Sequence, residues 1–525
     1  MVHSALEYLR ICREAGFEEI VVALKASNPA VMIAANRLLA ERMRDESFNQ
    51  PIHLGVTEAG AGAQGALRSA VGICTLLTEG IGDTIRVSLT GDPAQEIAVC
   101  RRIVHASADA ARDDDAVGAP LLAPGPVPPP IDATWSGLAV GGAAPPRVEL
   151  ALSLGAEHPD PPDPLPGIAY APGEVPESLL LRWTGNLDAA AAARLDRSLG
   201  SLRRMAQRVP GTGDPPAVWL EPEWTQLTRA LSGEAGETRA SAPRIPEWLG
   251  PILSTIDGLS IPVPHSAAEP ASDLAPLAAL TEHRPGLLLR YHLAAPPAPS
   301  QTAALLDATA RGRLSPPCFS SGGTALAATL RALAAQLGAM ANAAGGGRPL
   351  LAACLPDDPW AAAARVGPLL LGGIVDVVIA EQASRPPKAE EDTRQAAGGA
   401  AAAAEGLSPL ARAYGLLQAT RRRLTRAEFI SCPGCGRLSY DLETTVRRVK
   451  ARFGHLPGLK IAIMGCVVNG PGEMADADFG YVGASRGLVD LYAGRRCVRH
   501  GLTPEAADDL LIQLLREGGR WSEPA

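Results

Sequence analysis

A chain of 525 residues is long enough for about two to four domains, each with a core of its own. Its formal charge of −8 gives no electrostatic ground for a nucleic-acid partner, and no apolar run reaches the roughly 18 residues that span a bilayer. The opening "MVHSALEYLRICREAG" reads as an amphipathic helix without the unbroken apolar stretch of a signal peptide, so a cytoplasmic location is the default expectation.

After that helix the first hundred residues alternate strand and helix. "FEEIVVALKAS" predicts a strand, followed by a helix from Pro29 to about Arg44. "PIHLGVTEAG" is the next strand, with a helix through "GALRSAVGICTLLTEG". "DTIRVSLT" is the third, and "PAQEIAVCRRIVHAS" closes with a helix. Three successive βα units of this length imply an α/β fold, either a parallel sheet or part of a (β/α)₈ barrel. Each strand ends in polar residues: Lys25 and Ser27, Thr57 and Glu58, Arg86 and Ser88. Active sites of such folds are built at the carboxyl ends of strands, although ordinary strand-end polarity accounts for any one position.

Residues 107 to about 175 are Pro-rich and predict a linker or extended surface segment. Ala-rich helices and short strands follow to about residue 383, and "SRPPKAEEDTRQAAGGAAAAAEG" reads as a flexible loop. "PLLAACLPDD…ARVGPLLLGGIVDVVIAEQ" faintly repeats "PIHLGVTEAG…SAVGICTLLTEGIGDTIRVSL". In that alignment Glu58 is matched by Pro356, Arg86 by Ile379 and Ser88 by Glu381. The middle region therefore predicts a degenerate, structural βα copy that has lost its polar strand ends; chance similarity of Ala-rich units is the competing account.

From about Phe429 a compact α+β domain is expected. "AEFISCPGCGR" is a strand entering a CxxC turn, "SYDLETTVRRVKARFG" a helix, and "LKIAIMGC" a buried strand. "DFGYVGA", "LVDLYAG" and "RCVRHG" are short strands, and Thr503 caps a C-terminal helix.

Nine cysteines are too few for a disulfide scaffold. Cys12, Cys74, Cys100, Cys318 and Cys354 read as small buried hydrophobes, whereas Cys432, Cys435, Cys466 and Cys497 cluster in the last hundred residues. Three readings stay open. A structural zinc site would take Cys432, Cys435, Cys466 and a fourth ligand, with Cys497 the candidate. A redox CxxC needs only the first pair. An iron–sulfur cluster on three cysteines leaves one iron for another ligand, and Glu473, a hard and displaceable donor seven residues past Cys466, favours this third reading.

"FISCPGCGR", "IAIMGCVVNGPGEMADADFGYVG" and the strand ends "KAS", "HLGVTEAG" and "DTIRVSL" together resemble the 4-hydroxy-3-methylbut-2-enyl diphosphate synthase family, the iron–sulfur enzymes of the methylerythritol phosphate route to isoprenoids. The resemblance is close over residues 15–104 and 425–525, and the middle segment is similar to the extra domain of the large, plant-type form. It implies a partial TIM-type barrel over 1–106, an inserted domain over 107–424 and a cluster domain over 425–525. It further implies a [4Fe–4S] cluster held by Cys432, Cys435, Cys466 and Glu473, with substrate oxygen taking the position that Glu473 vacates. Lys25, Arg86, Ser88 and Asn469 become substrate contacts, and Glu58 a proton donor. The substrate implied is 2-C-methyl-D-erythritol 2,4-cyclodiphosphate and the electron donor reduced ferredoxin or flavodoxin, with a homodimer one compatible assembly. Since three βα units cannot close an eight-stranded barrel, the expectation is a fragment or a late-started chain, with impaired activity on its own.

Overall fold

The structure, a computed structural model, describes residues 1–116, 130, 133–135, 138–155, 174–184, 190, 191, 193, 195, 217–222, 249–263, 287–311, 318–344, 347–382, 399–485 and 487–524. Its first part runs α1 (Val2–Glu14), α2 (Pro29–Asp45), β1 (His53–Gly55), α3 (Gly62–Thr78), β2 (Thr84–Arg86) and α4 (Ala94–Ala116). α2 begins where the sequence places it: Pro29 occupies the first turn, and the Asn28 side chain accepts from the Ala30 N–H at 3.1 Å. β1 and β2 pair in parallel, with His53 opposite Thr84 and Gly55 opposite Arg86. The strand expected before α2 is reduced to two parallel bridges, Val22 to Ile52 and Ala26 to Val56.

α3 is buried on every side from Gly65 to Leu76. α2, α4 and the helices Pro359–Arg365, Gly399–Glu405 and Pro409–Ala419 all pack against it. A helix buried all round belongs inside a large core, and this one joins the first part of the chain to the middle part. At Gly72 a Cβ would fall 2.6 Å from Val56 Cγ2 and 2.9 Å from the Met32 side chain, so only glycine permits that approach.

The middle region corrects the sequence reading. After a hairpin of β3 (Ala133–Trp135) and β4 (Leu138–Val140), eight parallel strands close into a barrel. They are β5 (Arg147–Gly155), β6 (Ser178–Thr184), β7 (Ala217–Pro222), β8 (Gly258–Val263), β9 (Leu288–Leu293), β10 (Cys318–Ser321), β11 (Leu350–Cys354) and β12 (Val377–Gln382). The order around the ring is sequential, and β12 closes it by pairing with β5. This is a complete barrel rather than one degenerate βα copy. Its strands are short and interrupted by long Pro- and Ala-rich connections, so most escape a reading based on strand–helix alternation. Alternate residues fill the lumen, among them Leu180, Trp219, Ala352 and Ile379, while Leu150, Leu179 and Leu181 face the helices.

The polar strand ends expected to be lost are also present. Arg182 bonds Glu221 at 2.8 Å and Glu381 at 2.5 Å, Ser260 donates to Glu221 at 2.5 Å, and His292 Nδ1 lies 3.0 Å from Ser320 Oγ. One layer deeper, Arg290 forks onto Glu149 at 2.5 and 3.0 Å, with its guanidinium 4.3 Å from the Trp219 ring centre. Among the described residues, each of these lumen arginines is thus paired with at least one carboxylate.

Two further boundaries differ. Residues 107–116 continue α4, and 399–405 form a helix rather than a loop. The remaining Pro-rich stretches at 117–129 and 156–173, and residues 383–398, lie outside the described residues.

The last part is the expected α+β unit. β13 (Glu428–Ser431), β14 (Lys460–Met464) and β15 (Phe479–Gly483) are parallel, and β16 (Val489–Ala493) and β17 (Arg496–Leu502) extend the sheet antiparallel. The helices Leu442–Phe453 and Pro504–Glu517 bury one face through Val446, Val449, Phe453, Leu511 and Leu515. Thr503 caps the last helix by accepting from Ala506 N–H at 3.2 Å.

Candidate active site

Strand alternation organises the first half of the site. Along β1 and β2 and the bridged segment before α2, the register puts Lys25, Gly55 and Arg86 in one row. Leu24 and Leu54, one residue back, point the other way into the core. Two cations therefore share a face with a glycine between them. A Cβ on Gly55 would lie 2.8 Å from the Arg86 carbonyl oxygen and 3.5 Å from Lys25 Cε, so the missing side chain makes room for both. His53 lies one rung below, its Nδ1 2.8 Å from Thr84 Oγ1. Continuing the same alternation, Ser27 and Ser88, both buried, fall one rung above.

The electrostatics of this face favour an anion. Burial lowers the Lys25 ammonium, and the Arg86 guanidinium adds to the shift. Burial likewise holds His53 down, with Lys25 and Arg86 as further causes. His53 was not singled out from the sequence, although its place two residues before Gly55 on one strand is the signal that finds it.

Beyond the strand end, Glu58 has φ +54°, a left-handed conformation uncommon for a non-glycine residue. Burial pushes its carboxyl up to about 7, Glu473 raises it further, and Arg86 opposes. Its Oε2 and the Thr57 Oγ1 are buried with no hydrogen-bond partner. An elevated, half-buried carboxyl beside a cationic face is the environment of a proton donor.

The second half of the site is carried by the α+β unit, which docks on these strand ends. Ser431 forms a parallel bridge with Ala59, and its Oγ lies 2.7 Å from Thr90 Oγ1. Thr90 also donates to the Cys432 carbonyl at 3.1 Å. Beneath this contact the buried Arg68 meets the buried Glu428 at 3.1 Å and donates to the Phe429 carbonyl at 3.2 Å. Arg421 reaches the same Glu428 at 2.7 Å, and Lys450 donates to the Ala61 carbonyl at 3.2 Å. None of these docking residues carries a motif, so the sequence reading passed over them.

Cys432 leaves β13 into the Pro433–Gly434 turn, where Gly434 has φ +86° and brings Cys435 round. Cys466 leaves the neighbouring β14. Between them Gly465 donates its N–H to Cys432 Sγ at 3.2 Å, and a Cβ there would strike Leu438 at 2.2 Å. The Arg437 N–H reaches Cys435 Sγ at 3.4 Å, and the Arg437 hydrogen bonds lower that thiol. Burial raises Cys432, against the bonds from Gly465 and Gly434. The bend that follows is one helical turn, Gly470–Glu473, in which Glu473 N–H bonds the Asn469 carbonyl at 3.0 Å. Gly470 lets this turn sit on β15, since a Cβ would lie 2.9 Å from Val482. The half-buried Glu473 is carried back toward Glu58. The Asn469 side chain makes no capping bond.

This donor set fits a cluster better than a single ion. Tetrahedral zinc at about 2.3 Å from each sulfur brings its thiolates to about 3.8 Å of one another. Among the described residues, the sulfurs of Cys432, Cys435 and Cys466 do not all lie within 4.8 Å. A cluster gives each thiolate its own iron and spaces them more widely, and the N–H donors on Cys432 and Cys435 are the contacts that tune such sulfurs. Cys497 sits on the edge strand β17, three strand spacings or about 14 Å from β14, too far to complete a four-thiol site.

A cationic strand-end face closed over by a thiol-bearing α+β unit is the arrangement of a two-part α/β enzyme. Residues 1–101 match the GcpE TIM-barrel domain and residues 428–517 the GcpE protein C-terminal domain. Over nearly the whole chain the sequence is 33% identical to the 4-hydroxy-3-methylbut-2-en-1-yl diphosphate synthase (flavodoxin) of Parabacteroides distasonis, covering 99% of this chain and 70% of that protein. The chloroplastic, ferredoxin-named synthase of Oryza sativa is 34% identical, covering 100% and 65%. The flavodoxin-named synthase of Leptospira interrogans is 32% identical, covering 100% and 72%. The chain belongs to the 4-hydroxy-3-methylbut-2-en-1-yl diphosphate synthase family. No helix among the described residues is long and apolar enough to cross a membrane.

Proposed function

We propose that the strand-end face and the thiol turn form one reductive active site, converting 2-C-methyl-D-erythritol 2,4-cyclodiphosphate into 4-hydroxy-3-methylbut-2-enyl diphosphate. The product is the one for which the relatives are named, and the donor, flavodoxin or ferredoxin, is also taken from those names. The observation that carries the reading is the Ala59–Ser431 bridge, which joins the loop after β1 to the strand that delivers Cys432. Residues 1–116 are read as βα units of a TIM-type barrel, the boundary expected at 106 moving to the end of α4, with 117–424 as an inserted domain and 425–525 as the cluster domain.

Cys432, Cys435, Cys466 and Glu473 would hold a [4Fe–4S] cluster, which when bound would relay the two electrons of the reaction, one at a time, from the reduced flavodoxin or ferredoxin to the substrate. Lys25 and Arg86 hold the diphosphate and stabilise the charge released as its bond to carbon breaks. Ser88 offers a hydroxyl from the same face, and Asn469 offers its uncommitted amide from the opposite side. Glu58, whose carboxyl its surroundings raise to about 7 so that about half of it carries a proton at neutral pH, gives that proton to the departing hydroxyl, which leaves as water. The docked α+β unit covers the strand ends and limits solvent there.

Anaerobic reconstitution of the full chain tests the ligand set. Iron and sulfide content should be abolished by Cys466→Ser and unchanged by Cys497→Ser. Equal loss in both variants, or a colourless zinc protein from wild type, overturns the reading.

A further inference from the structure

On the far edge of the α+β sheet, outside the site above, three further donors converge. Cys497 Sγ lies 3.5 Å from His500 Nδ1, and that nitrogen lies 2.9 Å from Asp490 Oδ2. All three ligand atoms fall within 4.8 Å of one another. We propose that Asp490, Cys497 and His500 form a second metal site, for a single zinc-like divalent ion with water in the fourth position.

The distances suit that ion. Tetrahedral zinc, with bonds of about 2.3 Å to sulfur and 2.0–2.1 Å to nitrogen, sets those two atoms about 3.5 Å apart. The carboxylate oxygen is nearer the nitrogen than such an ion requires, by about 0.4 Å. His500 is the most exposed of the three, with 76% of its side chain accessible, and can make that adjustment. Asp490 is held in place, because its other oxygen accepts the Gly501 N–H at 2.9 Å. This is the outer support that orients a ligating carboxylate.

The backbone around the cluster is irregular in a way that creates it. On a regular strand Cys497 and His500, three residues apart, point to opposite faces. The β16–β17 ladder instead runs from Tyr492–Cys497 to Leu491–Arg499 and then to Val489–Leu502, so β17 carries two extra residues. Gly501, with φ +65°, takes part of that distortion. The bulges turn thiol and imidazole to the same side, against Asp490 on the neighbouring strand.

The same geometry argues against a catalytic triad. A Cys–His–Asp relay uses one imidazole nitrogen for the thiol and the other for the carboxylate. Here both contacts are made by Nδ1, leaving Nε2 outside them. Three donors aimed at one point describe chelation, in which the ion displaces the thiol proton and binds the Nδ1 lone pair of the tautomer that carries its proton on Nε2.

The test uses the full chain with its iron content fixed. After equilibration with zinc and desalting, about one zinc per chain should remain, with zinc-edge X-ray absorption giving one sulfur and otherwise nitrogen and oxygen neighbours. Cys497→Ser and His500→Ala should each weaken zinc binding by on the order of 100-fold at unchanged iron content, and Asp490→Asn by on the order of 10-fold or more. Unchanged iron shows that the unit remains folded. Failure to retain zinc, retention unaffected by Cys497→Ser, or two or more sulfur neighbours would overturn the proposal.

Discussion

Glu58 faces Glu473 across the seam between the strand ends and the thiol turn, and that neighbour is the second cause, after burial, of a carboxyl raised to about 7. Each residue ends a different chain segment, the first following β1 and the second closing the one-turn helix after β14.

Glu58→Gln keeps the shape of the side chain and removes its transferable proton. Turnover should fall on the order of 10²–10⁴-fold. Wild-type activity should decline as pH rises through about 7, where the donor loses its proton, and the variant should lack that limb. An unaltered pH profile in Glu58→Gln would remove Glu58 from the proton step.

Arg68 ties the two units together through Glu428 and the Phe429 carbonyl. Arg68→Met leaves Glu428 buried against Arg421 alone and should cost on the order of 3–5 kcal/mol in a urea titration. Glu428→Gln combined with Arg68→Met removes both charges and should recover part of that loss. A loss below about 1 kcal/mol for the single variant would mean that Arg421 alone satisfies the carboxylate.

Lys450 is held down to about 8, first by burial and then by Arg68 and Arg426. Between about 8 and its ordinary 10.5 the unfolded chain binds more protons than the folded one, so stability rises with pH in that window. Below about 8 the cost of the buried charge is fully present. Lys450→Met should therefore stabilise the chain at pH 7 by about 1–2 kcal/mol, less than the shift alone implies because the bond to Ala61 is lost. The gain should shrink as pH approaches 10, and a pH-independent difference would contradict this account.

Much of the candidate site was legible because its residues sit at strand ends. Lys25, Glu58, Arg86 and Ser88 follow apolar runs, and Cys432 and Cys466 each leave a parallel strand. The CxxC turn and the Thr503 cap are local signals, and both helices of the last unit follow their periodicity. What escaped depends on partners distant in sequence. Arg68 and Glu428 are 360 positions apart, and nothing local marks either as half of a buried pair. Closure of the middle barrel needs β12 to meet β5, more than 200 residues earlier, and its lumen charges show their roles only once the ring is closed. Strand alternation assigns Cys497 and His500 to opposite faces, and only the bulged ladder brings them together.

The most direct measurement of the central claim is Glu473→Cys. Cysteine is a soft, anionic donor that holds iron more firmly than a carboxylate. If Glu473 is the displaceable fourth ligand beside Glu58, the variant should assemble its cluster at least as well as wild type, by iron and sulfide content. Its turnover of the cyclic diphosphate, with a reduced flavodoxin or ferredoxin as donor, should fall by orders of magnitude. Wild-type turnover by a Glu473→Cys chain with a full complement of iron would contradict it.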